Sequence, residues 1–436
     1  MPKETPVLPH LDIAALPGPD TIRREVLPNG VVLLIRENFS SPSVVLSGYL
    51  LAGALANTPE TAGLAFMTAI AMTRGTQTRS FQQIFESIES IGARLSLHGG
   101  THSTAFQGKA LAEDLGLLLE LLDDVLQNPS FPKAEFERLR AQQLTALGIR
   151  EQDTGARAQM AFDTLVYPDH PYGLSTNGYV ETISELTPSD LRRFHREYFG
   201  PSGLVITIVG GVKAEKVFDL VTSTLGQWKT KSQREMPDLP NLKSLKKSKS
   251  VEVRLEGKAQ SELVIGVAGP SRYDEDYLAA AMGNSILGRF GLMGRIGEAV
   301  RVSAGLAYYA YSAISGGPGP GPWQVVAGVN PKNENRAIEI VRNEIKRFTS
   351  HRVGEEELFE NKANFIGRLP MQLESNEGVA GAISHIERYG LGLDYYQRYQ
   401  ELIAGITRDQ VLDVGQRFLD PGRLAVAIAG PDEGGV

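Results

Sequence analysis

Histidine is the first residue type to consider for metal or acid–base chemistry, and the chain has seven: His10, His98, His102, His170, His195, His351 and His385. Only His98 and His102 are close, at the i, i+4 spacing that joins two ligands on a helix. Their segment, Arg-Leu-Ser-Leu-His-Gly-Gly-Thr-His-Ser-Thr from Arg94, instead reads as a strand broken at Gly99-Gly100. Four residues of strand span about 13 Å, so the two rings reach one metal only if the glycines fold the chain back. His195 and His385 fall in predicted helices with no acid or histidine at ligand spacing, and read as surface or helix-packing residues. Cysteine is absent, which removes thiolate catalysis, cysteine–zinc sites, iron–sulfur clusters and disulfides together. A nucleophile elbow, a P-loop and a dinucleotide fingerprint are also missing. Gly316–Pro322, GGPGPGP, only imitates a phosphate loop. Its prolines remove the N–H donors that cradle an anion, and a strand rather than a helix follows, so it reads as a hairpin loop.

The elements that must position any site repeat. Residues 186–210, LTPSDLRRFHREYFGPSGLVITIVG, align without a gap at an offset of 220 with residues 406–430, ITRDQVLDVGQRFLDPGRLAVAIAG. Identities pair Thr187 with Thr407, Pro201 with Pro421, Leu204 with Leu424, Ile208 with Ile428 and Gly210 with Gly430. Apolar positions match as well, Leu191 with Val411, Phe194 with Val414 and Tyr198 with Phe418. Each copy reads as a Thr-capped helix, a proline turn and a buried strand, the signature of a duplication. In the first half, Pro28-Asn29-Gly30 between two apolar runs predicts a hairpin with a tight type I′ turn. Strands are expected at 44–51 and 94–109, and helices at 80–91, with a Ser80/Gln83 capping box, and at 111–126. The second half predicts strands in 251–267, 306–314 and 323–329, and helices at 277–288, 333–349 and 355–365. Strands and helices mix without strict βαβ alternation. The expected class is therefore α+β: two related domains, each an antiparallel-rich sheet with helices packed on it. The expected division is 1–228, a linker at 229–250, and 251–436. That linker is polar and carries seven basic residues, but no interleaved aromatics, and reads as a solvated connection rather than an RNA-binding segment.

Composition agrees with two large domains. The chain has 436 residues, 42% hydrophobic and 22% charged, with a net charge of −7. These values fit a globular protein without a dominant nucleic-acid footprint. The longest apolar stretch, 44–56, has 13 residues and is interrupted by Ser47, Gly48 and Gly53. A spanning helix needs about 20, so no membrane insertion is expected. The first twenty residues contain five prolines and no apolar core. The chain as it stands is expected in the cytoplasm, or in the periplasm or outside the cell if a signal peptide was trimmed.

One segment carries a family likeness. Residues 63–76, Gly-Leu-Ala-Phe-Met-Thr-Ala-Ile-Ala-Met-Thr-Arg-Gly-Thr, resemble the signature helix of the inverzincin metallopeptidases, the family of pitrilysin, insulin-degrading enzyme and the mitochondrial processing peptidase. Active members carry H-x-x-E-H there, with two zinc-binding histidines one turn apart and a glutamate as general base. Here the Gly-Leu-Ala start and Gly-Thr end remain, but those positions hold Phe66, Ala69 and Ile70. The family's third ligand, a downstream glutamate, falls on Ala146. His170-Pro171-Tyr172-Gly173, Gly178 and the Thr187 helix follow in the family's order, so the resemblance covers nearly the whole chain. It implies no metal in this chain, because these four side chains offer no donor.

The second half keeps what the first lacks. Arg301-Val-Ser-Ala-Gly305-Leu306-Ala307-Tyr308 resembles the family's R-x-x-x-G-L-A-Y element, whose arginine and tyrosine hold the substrate backbone and stabilise the oxyanion. A guanidinium and a phenol are strong donors for that charge. Gly288, Gly291, Gly294 and Gly297 recur every third residue just before, either as a mobile peptide-contacting loop or as close helix packing. The resemblance implies the noncatalytic subunit of a heterodimer, whose two domains, joined by the linker into a clam-shell, close with its partner around a peptide chamber. Arg301 and Tyr308 would act in trans, and the zinc would lie in the homologous partner subunit. The alternative is a scaffold, or a peptide-binding pseudoenzyme with no part in proteolysis.

Overall fold

A computed structural model describes residues 7–432. The first half runs β1 (Arg23–Val26), β2 (Val32–Glu37), β3 (Ser43–Leu50), α1 (Leu64–Ala71), α2 (Phe81–Ser90), β4 (Arg94–Gly99), β5 (Thr104–Leu111), α3 (Leu115–Gln127), α4 (Lys133–Glu151), α5 (Thr154–Val166), α6 (Pro188–Tyr198) and β6 (Val205–Gly210). The second half runs β7 (Lys249–Arg254), β8 (Ser261–Ala268), α7 (Tyr277–Gly288), β9 (Ala307–Ile314), β10 (Pro322–Val329), α8 (Glu334–Ser350), α9 (Glu355–Gln372), α10 (Asn376–Tyr389), α11 (Arg408–Phe418) and β11 (Ala425–Gly430). A further helix, Ala214–Ser223, and shorter helical turns join them.

Two sheets result, ordered β1-β2-β6-β3-β5-β4 and β7-β11-β8-β10-β9. Apart from the extra β1, the orders correspond strand for strand. In each, one pair is parallel, β2 with β6 and β7 with β11, and the rest are antiparallel. The repeated segments occupy matching places. Thr187 caps α6 and Thr407 caps α11, both in capping boxes, and the following strands β6 and β11 are buried along their whole length. The Ser80/Gln83 box also forms at the start of α2.

Local departures have simple causes. The β1–β2 turn spans three residues, closed by Gly30 N–H donating to Leu27 O at 2.9 Å, and only Gly30 has positive φ. A type I′ turn needs positive φ at both central residues, but the closing bond brackets Pro28 and Asn29, and neither has it. Helix α9 continues to Gln372 through Pro370, past the expected end at 365. Lys249 and Ser250, expected in the linker, begin β7 because β11 offers them a parallel edge. The rest of that segment is anchored: Arg234 N–H donates to Glu197 O at 2.7 Å, and Leu242 and Leu245 pack on buried residues.

The halves meet through more than the linker. Leu33, Ile35, Leu46 and Ile208 turn one face of the first sheet toward its own helices, while Leu34, Val45, Val205 and Val209 join a core shared with the second half. Helix α10 covers that shared face, with Ser384 Oγ donating to the buried Thr207 Oγ1 at 2.9 Å. Helix α5 reciprocates on the second sheet, where Ala158, Phe162 and Val166 bury Val264, Val326, Ala425, Ala427 and Ala429. Helix α5 of the first half and helix α10 of the second thus each cover the other half's sheet.

Candidate functional site

Helix α1 begins at Gly63, whose φ of 94° lets the chain turn sharply into it. β4 passes so close that a Cβ on Gly99 would sit 2.7 Å from Phe66 Cα. Phe66 is half-buried and meets the ring of His98 edge-on, with centroids 5.8 Å apart. Ala69 is fully buried and Ile70 half-buried against the same core as Leu144 of α4. The structure therefore assembles the α1 positions beside β4 and α4. Ala146 itself is exposed, while its neighbours Gln143 and Leu147 turn inward. A zinc ion needs three or four N, O or S ligands. Phe66, Ala69, Ile70 and Ala146 supply none, and among the described residues no three His, Asp or Glu side chains are grouped to hold a metal. This site does not fit the family's metal.

Gly99 and Gly100 do fold the chain back, as the turn between β4 and β5, with Gly100 N–H donating to Ser103 O at 2.9 Å. The two histidines nevertheless go to different partners. His98 is exposed beside Phe66, whereas His102 Nε2 lies 2.6 Å from Tyr172 Oη. Tyr172 also bonds the Gly319 backbone, and burial pushes its phenol up to about 12. This tyrosine of the His-Pro-Tyr-Gly segment thus ties the hairpin turn to the Gly/Pro loop of the other half. His195 and His385 serve packing. His195 Nε2 bonds Leu126 O at 2.8 Å and its ring stacks on Phe199, while His385 Nε2 accepts from Arg272 at 2.9 Å.

Arg301 lies in a π-helical turn, Gly297–Ser303, packed beside β9. Such turns concentrate at functional sites because the wider coil displaces side chains from helical register. Gly305, at φ 63°, then redirects the chain, and Leu306 N–H donates to Val300 O at 3.0 Å. Tyr308 follows on β9, the edge strand of its sheet, and is 83% exposed. Neither the Arg301 nor the Tyr308 side chain has a hydrogen bond or ion pair among the described residues. Both donors are free for an external acceptor.

The glycine tract before them is a tight turn. A Cβ on Gly288 would meet Ser312 N at 2.3 Å, one on Gly294 would meet Ile286 O at 2.6 Å, and one on Gly297 would meet Leu292 O at 2.2 Å. Close packing, rather than an open loop, accounts for three of the four glycines. Asp163 was not legible as a site residue. It sits on α5 between Phe162 and Val166, and only the position of the Gly/Pro loop from the other half reveals the cavity it faces.

The fold and the site together define a duplicated α+β protein, built around a peptidase-type helix whose reactive positions carry only carbon. Residues 32–176 match the family described as Insulinase (Peptidase family M16), and residues 185–365 that described as Peptidase M16 inactive domain. An uncharacterized zinc protease of Streptomyces coelicolor is 25% identical over 418 residues, covering 95% of this chain and 90% of the relative. The crystal structure of a peptidase M16 inactive domain from Pseudomonas fluorescens superposes with a TM-score of 0.87 at 21% identity, covering 94% of this chain and 98% of that one. A protease from Helicobacter pylori gives 0.88 at 19% identity, covering 95% and 100%. The chain belongs to the peptidase M16 family, the inverzincins.

Proposed function

We propose that this chain is the noncatalytic subunit of a heterodimeric zinc peptidase, presenting Arg301 and Tyr308 to a peptide bound at the zinc of a homologous partner. The observation that carries the reading is the asymmetry between two sets of positions. All four metal-chemistry positions are carbon side chains, while the Arg–Tyr pair is exposed and unpartnered. A scaffold has no need of two strong donors held free in solvent, although descent alone would also preserve them. The relatives described as zinc proteases support peptide-bond chemistry in this family.

The part played by this chain is binding and charge stabilisation. The guanidinium holds a substrate carbonyl and the phenol donates to the oxygen as it gains charge. Such donors lower the barrier only where charge develops, and loss of one costs about 10²-fold or more in kcat. The test is reconstitution. The isolated chain is expected to bind no zinc and cleave no peptide, and mixing with a zinc-bearing homologue should restore turnover. Full activity of the partner alone, unchanged on adding this chain, would overturn the proposal.

A further inference from the structure

We infer that the cavity between α5 and the Gly316–Pro322 loop binds a lysine or arginine side chain of a peptide, with Asp163 as its counter-ion. The cavity has a volume of about 580 Å³. It opens where the β4–β5 turn, α5 and the Tyr172 segment of the first half meet the loop of the second. A volume of this order, with apolar walls and few polar groups, is the usual form of a ligand site.

The polar groups specify a cation. Besides His102, the ionisable groups of opposite sign on the wall are the basic Arg157 and the acidic Asp163, and Arg157 is already paired with Glu151. Asp163 accepts one hydrogen bond, from Gln159 Nε2 at 2.9 Å, and has no cationic partner among the described residues. Gln159 is held in turn by Gln324 of β10, whose Nε2 donates to Gln159 Oε1 at 2.6 Å. The carboxyl is therefore oriented by both halves and left one charge short. Burial holds it up to about 7, so near neutrality the charged form lacks what an incoming cation would supply. Burial also holds His102 down to about 4, which keeps that imidazole neutral and removes a repelling charge.

Tyr167, Tyr172 and Tyr179 line the same cavity, and aromatic rings attract ammonium and guanidinium groups; Tyr179 already carries the Arg150 guanidinium over its ring. Met160 and Leu174 give apolar wall for a methylene stem. The ligand chemistry is thus a primary ammonium or guanidinium on an apolar stem, available from a peptide or from a free amine. Assigning it to a peptide rests on the proposed function; assigning it to a cation does not.

The experiment uses the intact chain without any partner subunit. Calorimetry compares capped pentapeptides that differ only in a central lysine, arginine or norleucine, with n-butylamine as the free-amine arm. The lysine and arginine peptides should bind at least about tenfold more tightly than the norleucine peptide, the range of a charge-assisted hydrogen bond. Asp163→Asn should remove most of that difference. Equal binding of lysine and norleucine, full retention in Asp163→Asn, or no binding by any peptide would overturn the cation site. Butylamine binding as tightly as the lysine peptide would overturn the peptide assignment alone. The lysine–norleucine comparison needs no variant, so it decides even if Asp163→Asn folds poorly. Partner stimulation is a separate measurement, so failure of the heterodimer reading and failure of this one are distinguishable.

Discussion

Tyr308 separates a functional role from a structural one, because its hydroxyl has no hydrogen-bond partner among the described residues and 83% of the residue is exposed. Tyr308→Phe and Arg301→Ala should therefore leave the melting temperature unchanged while lowering partner-dependent kcat by about 10²-fold. Unchanged turnover in both variants would sink trans catalysis. A second residue-scale expectation concerns acid. Burial holds His102, His195 and His385 each down to about 4, from an ordinary value of 6.5. Their contribution to stability is complete above pH 6.5 and is lost as pH falls toward 4. Asp163 is shifted the other way, from 3.8 up to about 7. Its contribution is complete below pH 3.8 and lost as pH rises through 7. Over this range the three imidazoles lose stability on acidification while Asp163 gains it. Asp163→Asn removes the opposing group, so its melting temperature should fall more steeply than the parent's between pH 6.5 and 4. Melting curves in steps of pH measure this, and parallel curves would refute the assignment.

At the scale of the element, signals that act over a few residues were legible and those that depend on a distant neighbour were not. Thr187 and Thr407 announce helix starts because their hydroxyls reach N–H groups three residues on, at Asp190 and Gln410. The apolar run at 44–51 likewise marked a strand, and it is β3. The amphipathic face of α5 shows that something is covered but not which sheet, and no local pattern joins Tyr172 to Gly319. The β1–β2 turn departs from type I′ for a local reason: it closes one residue earlier, around Pro28 and Asn29, where a proline at the first central position favours negative φ. The two Thr caps lie in different halves and make equivalent hydrogen bonds. Thr187→Ala and Thr407→Ala should each cost about 1 kcal/mol, and the double variant about their sum, because distant sites add. Urea unfolding of the single and double variants measures it. A large excess in the double variant would mean that the two caps are coupled.

For the whole molecule, reciprocal helix exchange changes what the linker has to do. If a connection alone held the halves, cutting it would let them part. Here α10 buries the shared face of the first sheet, and α5 buries that of the second. Arg24 adds a two-pronged contact to Glu387, at 2.9 and 2.8 Å, and Asn38 Nδ2 donates to Asn376 Oδ1 at 2.7 Å. Exposing either sheet face would return a row of Val, Ile, Leu and Ala side chains to water, at roughly 25 cal/mol for each Å² of apolar surface. A protease site inserted at the exposed residues Lys229–Lys231 should therefore yield two fragments that still co-elute and melt in one transition. The first fragment produced alone should aggregate, because the sheet face that α10 covers would be bare. Native separation of the cut fragments, each with its own melting transition, would show instead that each half closes its own core. The same interlock opposes wide hinge opening within the chain. Under the proposed function, the chamber for peptide must then lie mainly between this chain and its partner.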